Sequence, residues 1–323
     1  MDAPVFSVIV TAYNQHDDIK RAVESVLNQT VKCFELIVVD DCSTDDTPKV
    51  LDEYAKKNAC MRVIRHEKNG SSHVARCTGV ENASGSYVIF LDGDDYLFPD
   101  ALEKLMTQVV NSGEAFDVCE YSYQCQPSGE VYKPVNWDLS KPIIDFYLEH
   151  DSPVTVWNKL YRTEIVKKAF ENMQKAYIRC GDDTYETICI AYFTKKYIQK
   201  DILVTNYQLD IGVSKRKNNF DSNLRHCESF KIALECLKNF LDKSDYCYKE
   251  EMYSMIEQKF FDWISAVMKH NTDEEDIVKS LLLLPRYFRL EIIEPDFKHL
   301  YSIVLKTQKI KRIIKRILFW YKQ

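Results

Sequence analysis

Three aspartates crowd one turn at Asp92-Gly93-Asp94-Asp95, directly after the β-forming run Tyr87-Val88-Ile89-Phe90-Leu91. In extended backbone, residues two apart project to the same side, so Asp92 and Asp94 are expected to point together. Gly93 lets the chain turn between them without a Cβ clash. Clustered carboxylates repel one another unless something positive sits between them. A hard divalent cation carrying phosphate oxygens meets that need, because Mg²⁺ commonly uses one or two carboxylates plus substrate phosphates. The competing reading is a polar turn that merely closes a strand. Two more apolar runs end in polar groups: Ser7-Val8-Ile9-Val10 runs into Thr11 and Tyr13, and Leu36-Ile37-Val38-Val39 runs into Asp40 and Asp41.

The elements that must position these groups follow from periodicity. Phe6–Val10, Glu35–Val39, Met61–Ile64, Tyr87–Leu91 and Phe116–Cys119 read as buried strands. Between them, Ile19, Ala22, Val23, Val26 and Leu27 repeat with helical spacing, as do Val50, Leu51, Tyr54 and Ala55 after the capping run Ser43-Thr44-Asp45-Asp46. A third helix is expected from Val74 to Ala83, and a fourth from Pro99, with Leu102, Leu105, Met106 and Val109 on its apolar face. Strands alternating with helices imply an α/β fold with a mostly parallel sheet covered on both sides. Ligands bind such sheets beyond the C-terminal ends of the strands. Three strand ends delivering polar groups to one edge therefore turn the reading of Asp92 and Asp94 from turn to site. Asp40, adjacent to Asp41, is expected to satisfy loop amides instead.

Composition sets the outer limits. A chain of 323 residues with 46% hydrophobic and 28% charged residues can bury one large or two modest cores. Its net charge of −6 argues against nucleic acid as a partner. The eleven cysteines show no C-x-x-C pair or metal-ligand spacing, and no apolar run approaches membrane-spanning length, so free thiols in a reducing cytoplasmic setting are expected. Glycine disappears after Gly212 and long helical patterns follow, which puts a boundary near 218: residues 1–218 as the α/β domain and 219–323 as a helical region. The seven histidines form no cluster; His73 reads as an exposed loop residue, and no role attaches to Glu120 or Glu186.

Taken in order, Ser7-Val8-Ile9-Val10-Thr11-Ala12-Tyr13-Asn14, Val38-Val39-Asp40-Asp41-Cys42-Ser43-Thr44-Asp45 and Phe90-Leu91-Asp92-Gly93-Asp94-Asp95 resemble the motifs of glycosyltransferase family 2. The resemblance spans about residues 4–215. It implies the GT-A fold and an inverting, metal-dependent transfer from a nucleotide-diphosphate sugar, with Mn²⁺ or Mg²⁺ as cofactor. Carried over by position, Thr11 and Tyr13 would line the nucleotide pocket, and Asp41 would accept the uracil imide N–H, favouring a uridine nucleotide. Asp94 would ligate the metal, and Asp92 would hold the ribose or the metal's water shell. Ala75-Arg76-Cys77 matches the family's Ala-Arg-Asn step, so Arg76 would contact the nucleotide or diphosphate; Cys77 departs from the expected Asn.

The acceptor side is read in the same way. Asp182-Asp183 occupies the family's Glu-Asp position, which makes Asp183 the base that deprotonates the acceptor hydroxyl and gives Asp182 a role in acceptor positioning. Trp157-Asn158-Lys159-Leu160-Tyr161-Arg162 resembles a segment of members that build bacterial surface polysaccharide or lipopolysaccharide. There Trp157 is either a sugar platform or a buried anchor, and Lys159 a charge near acceptor or phosphate. Lys215 and Arg216 stand in a segment similar to a loop that closes over the diphosphate. Residues 306–323 carry seven Lys and Arg and no acid, with isoleucines at helical spacing. Such a helix would either lie on an anionic membrane, next to a lipid-linked glycan acceptor, or pack on the helical region. An NAD-dependent oxidoreductase is excluded, because no G-x-G-x-x-G follows the first strand. A sugar-nucleotide-binding scaffold without turnover is the remaining competitor.

Overall fold

The computed structural model describes residues 3–135, 155–209, 220–247 and 249–254. Four strands form a parallel half-sheet in the order β3 (Met61–Arg65), β2 (Phe34–Asp40), β1 (Phe6–Ala12) and β4 (Tyr87–Asp92). Helices α1 (Ile19–Leu27), α2 (Thr47–Lys57) and α3 (Ser71–Asn82) make the crossovers. Alternate residues of β1 feed opposite faces. Val8 and Val10 pack toward α1 and α4 (Ala101–Gln108), whereas Ile9 joins the core on the α3 side. Burying Ile19, Val23 and Val26 of α1 in the first of these cores stabilises the fold by roughly 1.5–3 kcal/mol per side chain. On the other face α3 lies very close to the sheet: a Cβ on Gly79 would stand 2.3 Å from Ile9 Cγ2.

Beyond β4 the sheet becomes mixed. β8 (Lys159–Arg162) runs antiparallel between β4 and β6 (Val118–Gln126), and β6 pairs in parallel with β9 (Tyr197–Gln208). Two-residue strands β5 (Tyr96–Leu97) and β7 (Val131–Tyr132) pair antiparallel with β9 and β6. Helices α5 (Thr163–Asn172), α6 (Asp182–Phe193) and α7 (Phe220–Asp242) complete the described chain. α7 lies within the stretch whose sequence patterns are helical, and its Ala233, Cys236, Leu237, Phe240 and Leu241 are buried in the same core as Ile9 and Phe90.

Two helix starts differ from expectation. α3 begins at Ser71 rather than near Val74, because the Asp41 carboxylate accepts from the Gly70 and Ser71 N–H groups at 2.7 and 2.8 Å. That cap comes from the far side of β3 in sequence, so no local signal announces it. α4 begins at Ala101, with Pro99 in the preceding turn, where the Ala101 N–H already bonds the Phe98 carbonyl. The cysteines with described side chains are free thiols, and no described helix is long and apolar enough to cross a membrane. Lys215, Arg216 and residues 306–323 lie outside the described residues.

Candidate active site

Strand register brings the polar ends together. Thr11 lies opposite Asp92 on one side and Val39 on the other, and Ala12 lies opposite Asp40, so β1, β2 and β4 end level. Over this edge opens a cleft of about 440 Å³, lined by Thr11, Tyr13, Asp41, Arg76, Asp92, Asp94, Asp182 and Asp183 among others. The three non-glycine residues with positive φ among the described residues, Asn14 (52°), Cys42 (65°) and Ser71 (84°), all lie at this edge, the last at the start of α3. Such conformations persist where surrounding bonds over-determine them. Here Asn14 Oδ1 accepts from the Thr44 N–H at 2.7 Å, and Ser71 Oγ accepts from the Ile178 N–H at 3.0 Å.

The aspartate turn divides its labour. Asp92 Oδ1 accepts from Thr11 Oγ1 at 3.3 Å and from Arg76 Nη2 at 3.2 Å, while 31% of the side chain remains exposed. Asp94 is half-buried, and burial, with Asp92 adding to it, lifts its carboxyl up to about 6. Asp95 is buried and points away from this work. Its Oδ1 accepts from the Gln208 N–H at 2.8 Å, tying the turn to β9, and burial holds its proton affinity far above the ordinary carboxylate range. Gly93 is required by close approach: a Cβ there would lie 2.3 Å from Gln15 Oε1 and 2.9 Å from the Thr11 carbonyl.

Asp41 is buried, with both oxygens engaged by the α3 amides and by His66 Nδ1 at 2.7 Å. It reaches the cleft as the cap of α3, and any contact with a base would add to those bonds. Asp40 satisfies a loop amide, accepting from the Ser43 N–H at 3.0 Å. Tyr13 is 37% exposed at the cleft mouth, free to offer its ring.

Arg76 lines the cleft. Its guanidinium is buried among four carboxylates: Asp92 at 3.2 Å, Asp182 at 3.0 Å, and Asp183 and Glu186 at 3.1 Å. It thereby joins β4 to α6. His73 is likewise fully buried rather than on an exposed loop, with Nδ1 2.8 Å from Glu186 Oε1. Burial would lower its pKa, but the bonds to Cys77 and Glu186 carry it up to about 10. Glu186, given no role from the sequence, is thus the buried centre of a His73–Glu186–Arg76 chain. Asp182 accepts from Ser72 Oγ as well as from Arg76, which ties α6 to α3 at the cleft wall.

Asp183 is placed differently. It sits in the first turn of α6, 29% exposed, and lines the cleft. Burial pushes its carboxyl well above the usual range; Arg76 opposes this, and Asp182, Asp92 and Glu186 reinforce it. The result is a solvent-reachable carboxylate with raised proton affinity.

Packing favours the buried-anchor reading of Trp157 and encloses Lys159. Trp157 is 6% exposed and stacks on Tyr207 at 4.7 Å with an interplanar angle of 6°. It is the anchor behind the wall, and Tyr207 is the ring that lines the cleft. Lys159 is buried, donating to the Thr155 carbonyl at 2.6 Å and to Asn158 Oδ1 at 2.7 Å. Gln15, Tyr177, Arg179, Tyr207 and Gln208 line the cleft without having been singled out from the sequence.

A divalent cation fits the donor set. Asp92 and Asp94 are hard oxygen donors on an open wall, and Asp94 holds its proton weakly enough to release it near neutrality. Among the described residues no group of three or more His, Cys, Asp or Glu is arranged to hold an ion unaided. A cation here would therefore complete its shell from phosphate and water, as Mg²⁺ usually does.

Comparison with known proteins agrees with this architecture. A family model described as glycosyl transferase family 2 matches residues 7–170, half of the chain. TuaG of Bacillus subtilis, whose name assigns it to teichuronic acid biosynthesis as a glycosyltransferase, is 42% identical over 123 residues, covering 38% of this chain and 49% of TuaG. The chain spans about half the length of the curated relatives it matches. Among solved structures, S. aureus TarS 1–349 in complex with UDP-GlcNAc superposes with a TM-score of 0.59 at 18% identity, covering 88% of this chain and 82% of that one. The mannosyltransferase PcManGT from Pyrobaculum calidifontis, in complex with GDP-Man and Mn²⁺, gives 0.52 at 13% identity, covering 98% and 84%. The mixed sheet between helices is the GT-A fold of these structures. The chain belongs to glycosyltransferase family 2.

Proposed function

We propose that this protein is an inverting glycosyltransferase that moves a hexosyl or N-acetylhexosaminyl group from a UDP-sugar to a saccharide or lipid-linked glycan acceptor in surface polysaccharide synthesis. The observation that carries the reading is the meeting, in one cleft, of the Asp92/Asp94 pair and the half-buried, proton-avid Asp183. Family membership supports the reaction class, the fold shared with TarS bound to UDP-GlcNAc supports the donor, and the likeness to TuaG supports the pathway.

The chemistry asks for a base on the acceptor side and charge neutralisation on the donor side. Asp183 accepts the proton of an acceptor hydroxyl while that oxygen bonds to the anomeric carbon. The bond from that carbon to the diphosphate oxygen breaks, and the nucleoside diphosphate leaves with the electron pair. Arg76 restrains Asp183 at 3.1 Å and keeps its carboxylate oriented. Asp94, with Asp92, would hold Mn²⁺ or Mg²⁺, which supplies positive charge to the departing diphosphate. Tyr13 and Thr11 border the space for the base and ribose. The basic segment 306–323 would keep the enzyme on the inner, anionic membrane face beside a lipid-linked acceptor.

The test is UDP release from a panel of UDP-sugars with Mn²⁺, measured with and without saccharide acceptors. Asp183→Asn should lower transfer by about 10²–10⁴-fold while sparing UDP binding, and Asp94→Asn should abolish the dependence on Mn²⁺. Transfer left intact in both variants refutes the mechanism. UDP binding without turnover on any donor would favour the scaffold alternative.

A further inference from the structure

The cleft has a charge problem that the assigned residues do not solve. Five carboxylates line it (Asp41, Asp92, Asp94, Asp182 and Asp183), against two guanidiniums, Arg76 and Arg179. Arg76 is surrounded by four acids within 3.2 Å. Arg21, near the aspartate turn, is also engaged: it donates to the Asp94 carbonyl at 2.7 Å and lies over the Tyr96 ring. Arg179 is different. It is half-buried, and among the described residues no carboxylate pairs with its guanidinium.

Its backbone, by contrast, is held firmly. The Arg179 and Cys180 N–H groups both donate to the buried Ser229 Oγ of α7, at 2.6 and 3.1 Å. Gly181 follows with φ +82°, and a Cβ there would meet the Phe230 ring at 2.6 Å. A fixed main chain carrying an unpaired guanidinium into a cleft is a preorganised anion contact, because less ordering remains to be done on binding. Guanidinium matches phosphate with two parallel N–H···O bonds.

We propose that Arg179 is the phosphate-binding cation of this cleft, reaching a phosphate of a substrate from the side that carries Asp183. This deepens the transferase reading and rests on it. The phosphate belongs either to the donor diphosphate or to a phosphate-bearing acceptor, and the experiment separates the two.

The experiment titrates the full chain with UDP and with uridine, each with Mn²⁺, for wild type, Arg179→Gln and Arg179→Lys. KM is then measured for a phosphate-bearing and an uncharged acceptor. Thermal unfolding confirms that each variant folds. If the phosphate is the donor's, Arg179→Gln weakens UDP about 10–100-fold, leaves uridine unchanged, and Arg179→Lys recovers part of the loss. If it is the acceptor's, UDP affinity holds and only the KM of the phosphate-bearing acceptor rises. Unchanged UDP affinity together with unchanged acceptor KM values overturns the assignment alone. A wild-type chain that binds neither UDP nor uridine overturns the transferase reading and the assignment with it.

Discussion

Replacing Arg76 by Met tests the electrostatic frame of the site most directly. Met fills a similar volume without charge, so the perturbation is the loss of one cation from among Asp92, Asp182, Asp183 and Glu186, all within 3.2 Å of it. Glu186 is fully buried and keeps His73 as a partner; Asp182 keeps only a hydroxyl. Removing one partner of a buried ion pair typically costs about 3–5 kcal/mol. At roughly 2–4 °C per kcal/mol for a domain of this size class, Tm should fall by about 6–20 °C at pH 7.5. The loss should shrink in acid. Without Arg76 the folded-state carboxylates bind protons more tightly than in the unfolded chain. The penalty is then present above the unfolded carboxylate pKa and relieved as pH falls through the raised folded values. Thermal unfolding followed by circular dichroism at pH 7.5 and 5.5 measures both effects, with Arg76→Lys as the charge-retaining control. A Tm within about 2 °C of wild type at pH 7.5, or a loss that does not diminish at pH 5.5, refutes the reasoning.

Four further outcomes are expected. Because the Asp94 carboxyl is lifted up to about 6, cation binding must displace a proton below that pH. Apparent Mn²⁺ affinity should therefore fall about tenfold per pH unit between pH 6 and 5, and a flat calorimetric profile over that range contradicts it. Without the cation the sign reverses, and lowering pH from 7 to 5 should stabilise the turn, since the folded state prefers Asp94 protonated. Trp157→Ala should cost about 3–5 kcal/mol in urea unfolding and raise the donor KM as Tyr207 loses its stacking partner; a loss under about 1 kcal/mol argues against the anchor. Gly93→Ala pushes a methyl against the Thr11 carbonyl, so the turn must shift. Mn²⁺-dependent UDP binding should be lost for only about 1–3 kcal/mol of stability, and retained binding would show that the turn tolerates the move.

The first four strands and the helices between them were legible because their signals are local: β-branched runs alternating with helical apolar stripes. β8 was not read as a strand, because four residues that include Lys159 and Arg162 carry no apolar alternation. Its extended form comes from being wedged between β4 and β6. At the site, the sequence pointed to the acids that line the cleft, since clustered carboxylates at strand ends announce themselves. It set His73 on an exposed loop, and left Trp157 open between sugar platform and buried anchor, for one shared reason. Whether a charged or aromatic side chain meets a ligand or a buried partner depends on what folds over it, and that is a tertiary fact. Arg179 was passed over for the converse reason, as an isolated arginine gives no sign that its neighbours leave it unpaired.

The grip of Ser229 and Phe230 on the Arg179–Gly181 loop bears on how this protein can be divided. The family match ends at residue 170, before Asp183 and before the helix that steadies it. A fragment cut at the sequence-suggested boundary of 218 would retain the aspartate turn but lose the buttress behind the loop that leads to Asp183. The α/β portion is therefore not a detachable cassette. A chimera that grafts a foreign C-terminal region onto residues 1–218 must bring its own hydroxyl for those two amides and its own ring for Gly181.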